Sequence, residues 1–132
     1  MFSEIKHGIR NLIYWLPVIW KDRWWDDHYI YAILRHKLLN MAHMFEKYGI
    51  STVSKSDAEE MRYAAALLKR LMDEDYLENA WPKDIKIESW REATEEEGDA
   101  IRRAGRHADY MKQQDLDTLL EIFRKHIFGW WD

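Results

Sequence analysis

Residues 27–49 read DHYIYAILRHKLLNMAHMFEKYG, and this stretch decides the fold. Ile30, Ile33, Leu34, Leu38, Met41, Phe45 and Tyr48 recur at steps of three and four, the spacing that gathers side chains on one face of an α-helix. Asp26 or Asp27 offers a carboxylate to the unpaired backbone N–H groups of the first turn. Gly49 stands where a left-handed residue ends a helix. The spacing predicts a helix over about 27–48.

Working toward the C-terminus, Ser56 and Glu59 form a capping box, so a third helix is expected from Asp57. Its buried stripe is Met61, Ala64, Ala65, Leu68, Leu71 and Met72, running on to Leu77 before Trp81-Pro82. A connection over 83–89 leads to a fourth helix, about Ser89 to Gln113, that Gly98 and Gly105 weaken and Gly98 can break. Leu116, Leu119, Leu120, Phe123 and Ile127 predict a last helix over about 116–128. Working toward the N-terminus, Ile5, Ile9, Leu12 and Ile13 lie opposite Lys6 and Arg10, a helix over about 3–14 that Pro17 closes. Trp15 to Trp25 then reads as a ring-filled connection. The expectation is all-α: an antiparallel bundle of four main helices with an N-terminal helical arm. It is read as one helical domain, the arm at about 1–25 and the bundle at about 26–132.

Composition narrows the function classes. With 132 residues the chain has room for one core. It has no cysteine, which excludes a disulfide scaffold and a thiolate zinc site and fits a reducing compartment. A formal charge of −4 supplies no global field for duplex nucleic acid, so an anion site must come from local Lys and Arg. The uncharged stretch Leu12 to Trp20 is far shorter than the ~20 residues that span a bilayer, and no signal cleavage site follows it. The expected location is the cytoplasm. Eight tryptophans and seven tyrosines are the unusual feature.

Four constellations carry candidate chemistry. Trp20-Lys21-Asp22-Arg23-Trp24-Trp25, followed by Tyr29, combines flat rings with two cations, as stacking on a base beside a phosphate requires. The same rings also serve to wedge a helix corner. A polar stripe on the second helix, Arg35, His36, Asn40, His43 and Lys47, puts its histidines two turns apart, too far to share one metal. No metal site is assigned. The acidic run Glu92, Glu95, Glu96, Glu97 and Asp99 has the internal spacing of magnesium-holding helical hydrolases but lacks a partner motif; a helix start explains it more simply. Arg102, Arg103, Arg106 and His107 form a compact cationic patch that, with Arg35 and Lys37, is the leading phosphate-binding candidate, although the preceding acids can also neutralise it. The terminal pair Trp130-Trp131 is expected to dock on the bundle or to join a second subunit.

The segments WKDRWWDDHY (20–29), LRHKLLNMAHMFEKYG (34–49) and HIFGWWD (126–132) together resemble a group of short proteins encoded by tailed bacteriophages. The resemblance covers most of the chain. It implies a phage accessory protein acting in the cytoplasm of the bacterial host, and it brings no catalytic residues with it. By analogy of context, small helical phage proteins of several unrelated families block host defence by binding a defence protein or by sequestering its nucleotide messenger.

Three functions follow, in rank order. The first is a non-enzymatic binder that sequesters a small anionic ligand such as a cyclic nucleotide signal. Its site would be built from Trp20, Lys21, Arg23, Trp24, Trp25, Tyr29, Arg35, His36, Arg102, Arg103 and Arg106, with no cofactor and a homo-oligomeric assembly. The second is a protein-binding inhibitor or adaptor acting on a host protein through aromatic anchors. The third is a magnesium-dependent nucleotide hydrolase using Glu92, Glu95, Glu96 and Asp99. Arg23 separates the first from a merely structural ring cluster, according to whether its guanidinium faces an open aromatic pocket or is buried against Asp22 or Asp26.

Overall fold

The computed structural model describes residues 1–86 and 92–131, and these contain helix and no strand. The described α-helices are α1 (Phe2–Lys21), α2 (His28–Tyr48), α3 (Ser54–Asp73), α4 (Tyr76–Ala80) and α5 (Glu95–His126), followed by a 3₁₀ turn at Ile127–Gly129. The all-α expectation holds, with helices packed in pairs. The chain forms two compact units, residues 1–72 and 73–131.

In the first unit α2 matches its sequence closely, and the Asp26 carboxylate accepts from the His28 backbone N–H at 2.9 Å. Gly49 differs from expectation. Its backbone is extended (φ −62°, ψ 133°), not left-handed. The reason for glycine is space, because a Cβ there would stand 2.6 Å from both Cβ and Oγ of Ser54. That tight corner lets α3 begin at Ser54, three residues before the expected start. Ser56 consequently donates to the Val53 carbonyl (2.9 Å) from within the helix instead of capping it. α3 carries the most continuous buried stripe, with Ala58, Met61, Ala64 and Leu68 fully enclosed. It runs antiparallel to α2. Glu46 late in α2 takes a two-pronged ion pair from Arg62 early in α3 (2.9 and 2.5 Å), and His28 at the start of α2 reaches the Met72 carbonyl (3.4 Å).

α1 overturns the expected stop at Pro17. The helix continues through the proline to Lys21, so Trp15 to Trp20 are helical and not a connection. Proline removes the N–H that would bond the Ile13 carbonyl, but both residues are exposed, so water can satisfy that oxygen. At the C-terminal end the Arg23 guanidinium donates to the carbonyls of Trp20 (3.2 Å) and Asp22 (2.6 Å), groups that a helix end leaves unpaired.

In the second unit α3 stops short of Leu77. Glu74 adopts a left-handed φ of 53°, which ends the helix, and its carboxylate pairs with Lys112 of α5 at 2.5 Å. The short α4 then packs on α5, where the Tyr76 hydroxyl donates to the buried Asp115 carboxylate at 2.6 Å. α5 replaces the two separate helices expected there. Gly98 lies in its first turn, where low helix propensity costs least, and Asp115 is accommodated inside the helix because Tyr76 meets its carboxylate. The Thr94 hydroxyl caps the start, accepting from Glu97 N–H at 3.2 Å. Ser89 and Trp90, expected at the beginning of this helix, lie outside the described residues. The terminal tryptophans separate: Trp130 is buried edge-on against Phe123 (5.9 Å between centroids), while Trp131 is 76% exposed.

Gly49→Ala should destabilise the fold by about 1–3 kcal/mol, because the added methyl overlaps Ser54; urea denaturation measures this. A second expectation concerns acid. Arg124 and Lys125 hold the Glu121 carboxyl down from 4.5 to about 2, and Arg62 and Arg102 lower Glu46 and Asp99. Carboxyls depressed in the folded state stabilise it above their unfolded pKa, and that stabilisation is lost as pH falls through the folded value. Melting temperature should therefore decline below about pH 4.5. The decline should be shallow because these pairs are exposed, and Glu121→Gln should flatten it.

Candidate functional site

α1 and α2 are joined by a reciprocal contact. The Tyr14 hydroxyl donates to the His36 carbonyl at 2.6 Å, while His36 Nε2 lies 2.8 Å from the Tyr14 carbonyl. A carbonyl only accepts, so Nε2 carries the proton. The two rings stack at 3.9 Å, with Trp15 edge-on to His36 at 5.0 Å. Burial raises the Tyr14 pKa, which keeps its hydroxyl a proton donor. His36, expected in the ligand set, thus spends one ring nitrogen on clamping α1 to α2.

Beyond this clamp the two helices enclose a cleft of about 560 Å³. α1 supplies Pro17, Val18, Trp20 and Lys21, the turn supplies Asp22 and Arg23, and α2 supplies His28, Tyr29, Ala32 and His36, with Met72 at the edge. Five of the expected site residues therefore meet: Trp20, Lys21, Arg23, Tyr29 and His36. Arg23 is exposed and is held by backbone carbonyls, not by the carboxylate of Asp22 or Asp26. Those bonds use one terminal nitrogen and orient the planar group, whose remaining N–H donors suit a forked contact with phosphate or carboxylate.

Trp24 and Trp25 fall elsewhere. They pack edge-on at 5.9 Å and are 91% and 63% exposed. Their shallow hollow also contains Asp22, Asp26 and Asp27 against Arg23 alone, a surrounding that disfavours an anion. Arg35 does not line the cleft; its Nε is buried and has no hydrogen-bond partner among the described residues. Arg102, Arg103 and Arg106 lie on α5 in the second unit. All three are exposed; Arg102 pairs with Asp99, on which Arg103 and Arg106 also act electrostatically. The acidic residues Glu95, Glu96 and Glu97 form the first turn of α5, where the helix dipole favours them. Among the described residues no group of three or more His, Asp or Glu is arranged to hold a metal ion. None of the described helices is long and apolar enough to cross a membrane.

Pro17, Val18, Asp22, His28, Ala32 and Met72 also line the cleft and lie outside the set expected from the sequence. His28 was visible as a polar residue beside the tryptophans, but its place in the cleft depends on Met72, 44 residues away, whose carbonyl its Nδ1 faces. No local signal marks that pairing.

His36→Ala should loosen α1 selectively. Amide exchange over residues 9–20 is expected to accelerate while the α5 amides keep their protection, and exchange mass spectrometry reads both at once. Tyr14→Phe should cost about 1 kcal/mol, the net worth of one hydrogen bond.

The comparisons with known proteins add no relative: no family model, no curated protein and no solved structure matches the chain.

Proposed function

We propose that this chain is a non-enzymatic binding protein that holds a small anionic ligand with a flat ring, a cyclic nucleotide signal being the leading case. The observation that supports this is the convergence of Trp20, Tyr29, Lys21 and Arg23 on one cleft of about 560 Å³. That volume suits a small-molecule ligand. Stacking on the rings would supply sequence-tolerant affinity, and Lys21 and Arg23 would meet the phosphates. The setting we propose rests on the resemblance of three segments to short tailed-phage proteins: a phage accessory protein in the bacterial cytoplasm that lowers the concentration of a host defence messenger.

A second reading, an inhibitor or adaptor that binds a host protein, draws support from the solvent-exposed pair Trp24 and Trp25. Exposed tryptophan is the residue type most often found as an interface anchor. The hydrolase reading draws no such support, since the start of α5 accounts for the acidic run and Asp99 is paired with Arg102.

Isothermal titration against cyclic mono-, di- and trinucleotides tests the ligand reading. Binding of at least one is expected, weakened about tenfold or more by Trp20→Ala or Arg23→Ala, the scale of one lost stack or charged hydrogen bond. Trp24→Ala should leave it unchanged. No heat across the panel, or equal loss in all three variants, defeats the proposal.

A further inference from the structure

α1 presents its apolar side to solvent. At about 100° per residue, its large aliphatic and aromatic side chains other than Tyr14, Trp15 and Val18 fall within one arc of about 120° that contains no charge. None of them is buried, and their exposures run from 54% to 85%. Tyr14, Trp15 and Val18 point the other way, and Tyr14 and Trp15 make the contacts with α2 described above. Helices of water-soluble proteins ordinarily turn the apolar stripe inward. Here the clamp to α2 turns it outward.

We propose that a second copy of this chain covers this face, the two α1 helices packing seam to seam. Phe2, Ile5, Ile9, Leu12, Leu16 and Ile19 follow one another at steps of three, four, three, four and three. That alternation is the seam of a two-helix coiled coil, with Ile13 and Trp20 flanking it. The seam is self-complementary, since each residue meets an equivalent apolar residue. Eight large side chains at these exposures amount to several hundred Å² per copy, of the order of the ~800 Å² per partner in a stable interface. Charge favours a second copy over a lipid surface. α1 holds three of the 20 basic residues and one of the 24 acidic ones, so the rest of the chain carries a net charge of −6. Three cations beside Glu4 make a thin polar face for an anionic bilayer, whereas two uncharged seams meet without desolvating an ion. The inference does not depend on the ligand reading.

Sedimentation equilibrium at micromolar concentration should give twice the single-chain mass of 16.1 kDa. Ile9→Asp and Leu12→Glu each place a carboxylate in the seam and should weaken association by at least about 100-fold. Their far-UV circular dichroism should match wild type, because neither residue is buried in the folded chain. Arg10→Gln, outside the arc, should remain dimeric. A single-chain mass for the wild type, or dimers that survive both seam substitutions, would overturn the proposal. Flotation of a single-chain wild type with phosphatidylglycerol vesicles would reassign the face to lipid.

Discussion

One contact governs how the first helix is used. Tyr14 and His36 exchange hydrogen bonds through each other's backbone carbonyls while their rings stack, and this fixes the rotation of α1 on α2. Each hydrogen bond contributes only about 1 kcal/mol net, so the clamp is modest in energy. Its leverage is geometric. With Tyr14 turned toward α2, the residues half a turn away must face outward, and those near Lys21 must overhang the start of α2. The exposed seam and the cleft are both consequences of that one rotational setting.

The parts of the fold that were legible in the sequence are those decided locally. α2 could be read because its periodicity, its carboxylate at the start and its glycine at the end agree. The same reasoning failed where solvent exposure or a packed neighbour overrides local preference. Pro17 signals a stop in isolation, yet the helix continues where the carbonyl it leaves unpaired is open to water. Two helices are expected over 89–113 and 116–128, yet Tyr76, 39 residues before Asp115, meets its carboxylate and α5 runs on as one. Gly49 was identified as a special position for the wrong reason: it provides clearance for Ser54 and has no left-handed backbone.

The site was legible as a composition and not as a geometry. Three tryptophans within six residues look like one platform, but the end of α1 falls between them. Trp20 stays on the helix beside Lys21, while Trp24 and Trp25 pass to the turn among three aspartates. Arg23 meets the criterion set for it only in part. It borders an open aromatic cleft, and it also closes the end of α1 by holding two carbonyls. A residue with both duties is already oriented before a ligand arrives, which lowers the entropy lost on binding.

The outward arc of α1 also bears on how sequence variation in this chain would be interpreted. Its isoleucines and leucines contribute no burial to the isolated fold, so a mutational scan scored by foldability alone would rank them as freely replaceable surface. A scan scored by biological performance would reveal whatever constraint holds them apolar. The difference between the two maps, taken along Phe2 to Ile19, would separate selection for folding from selection for association.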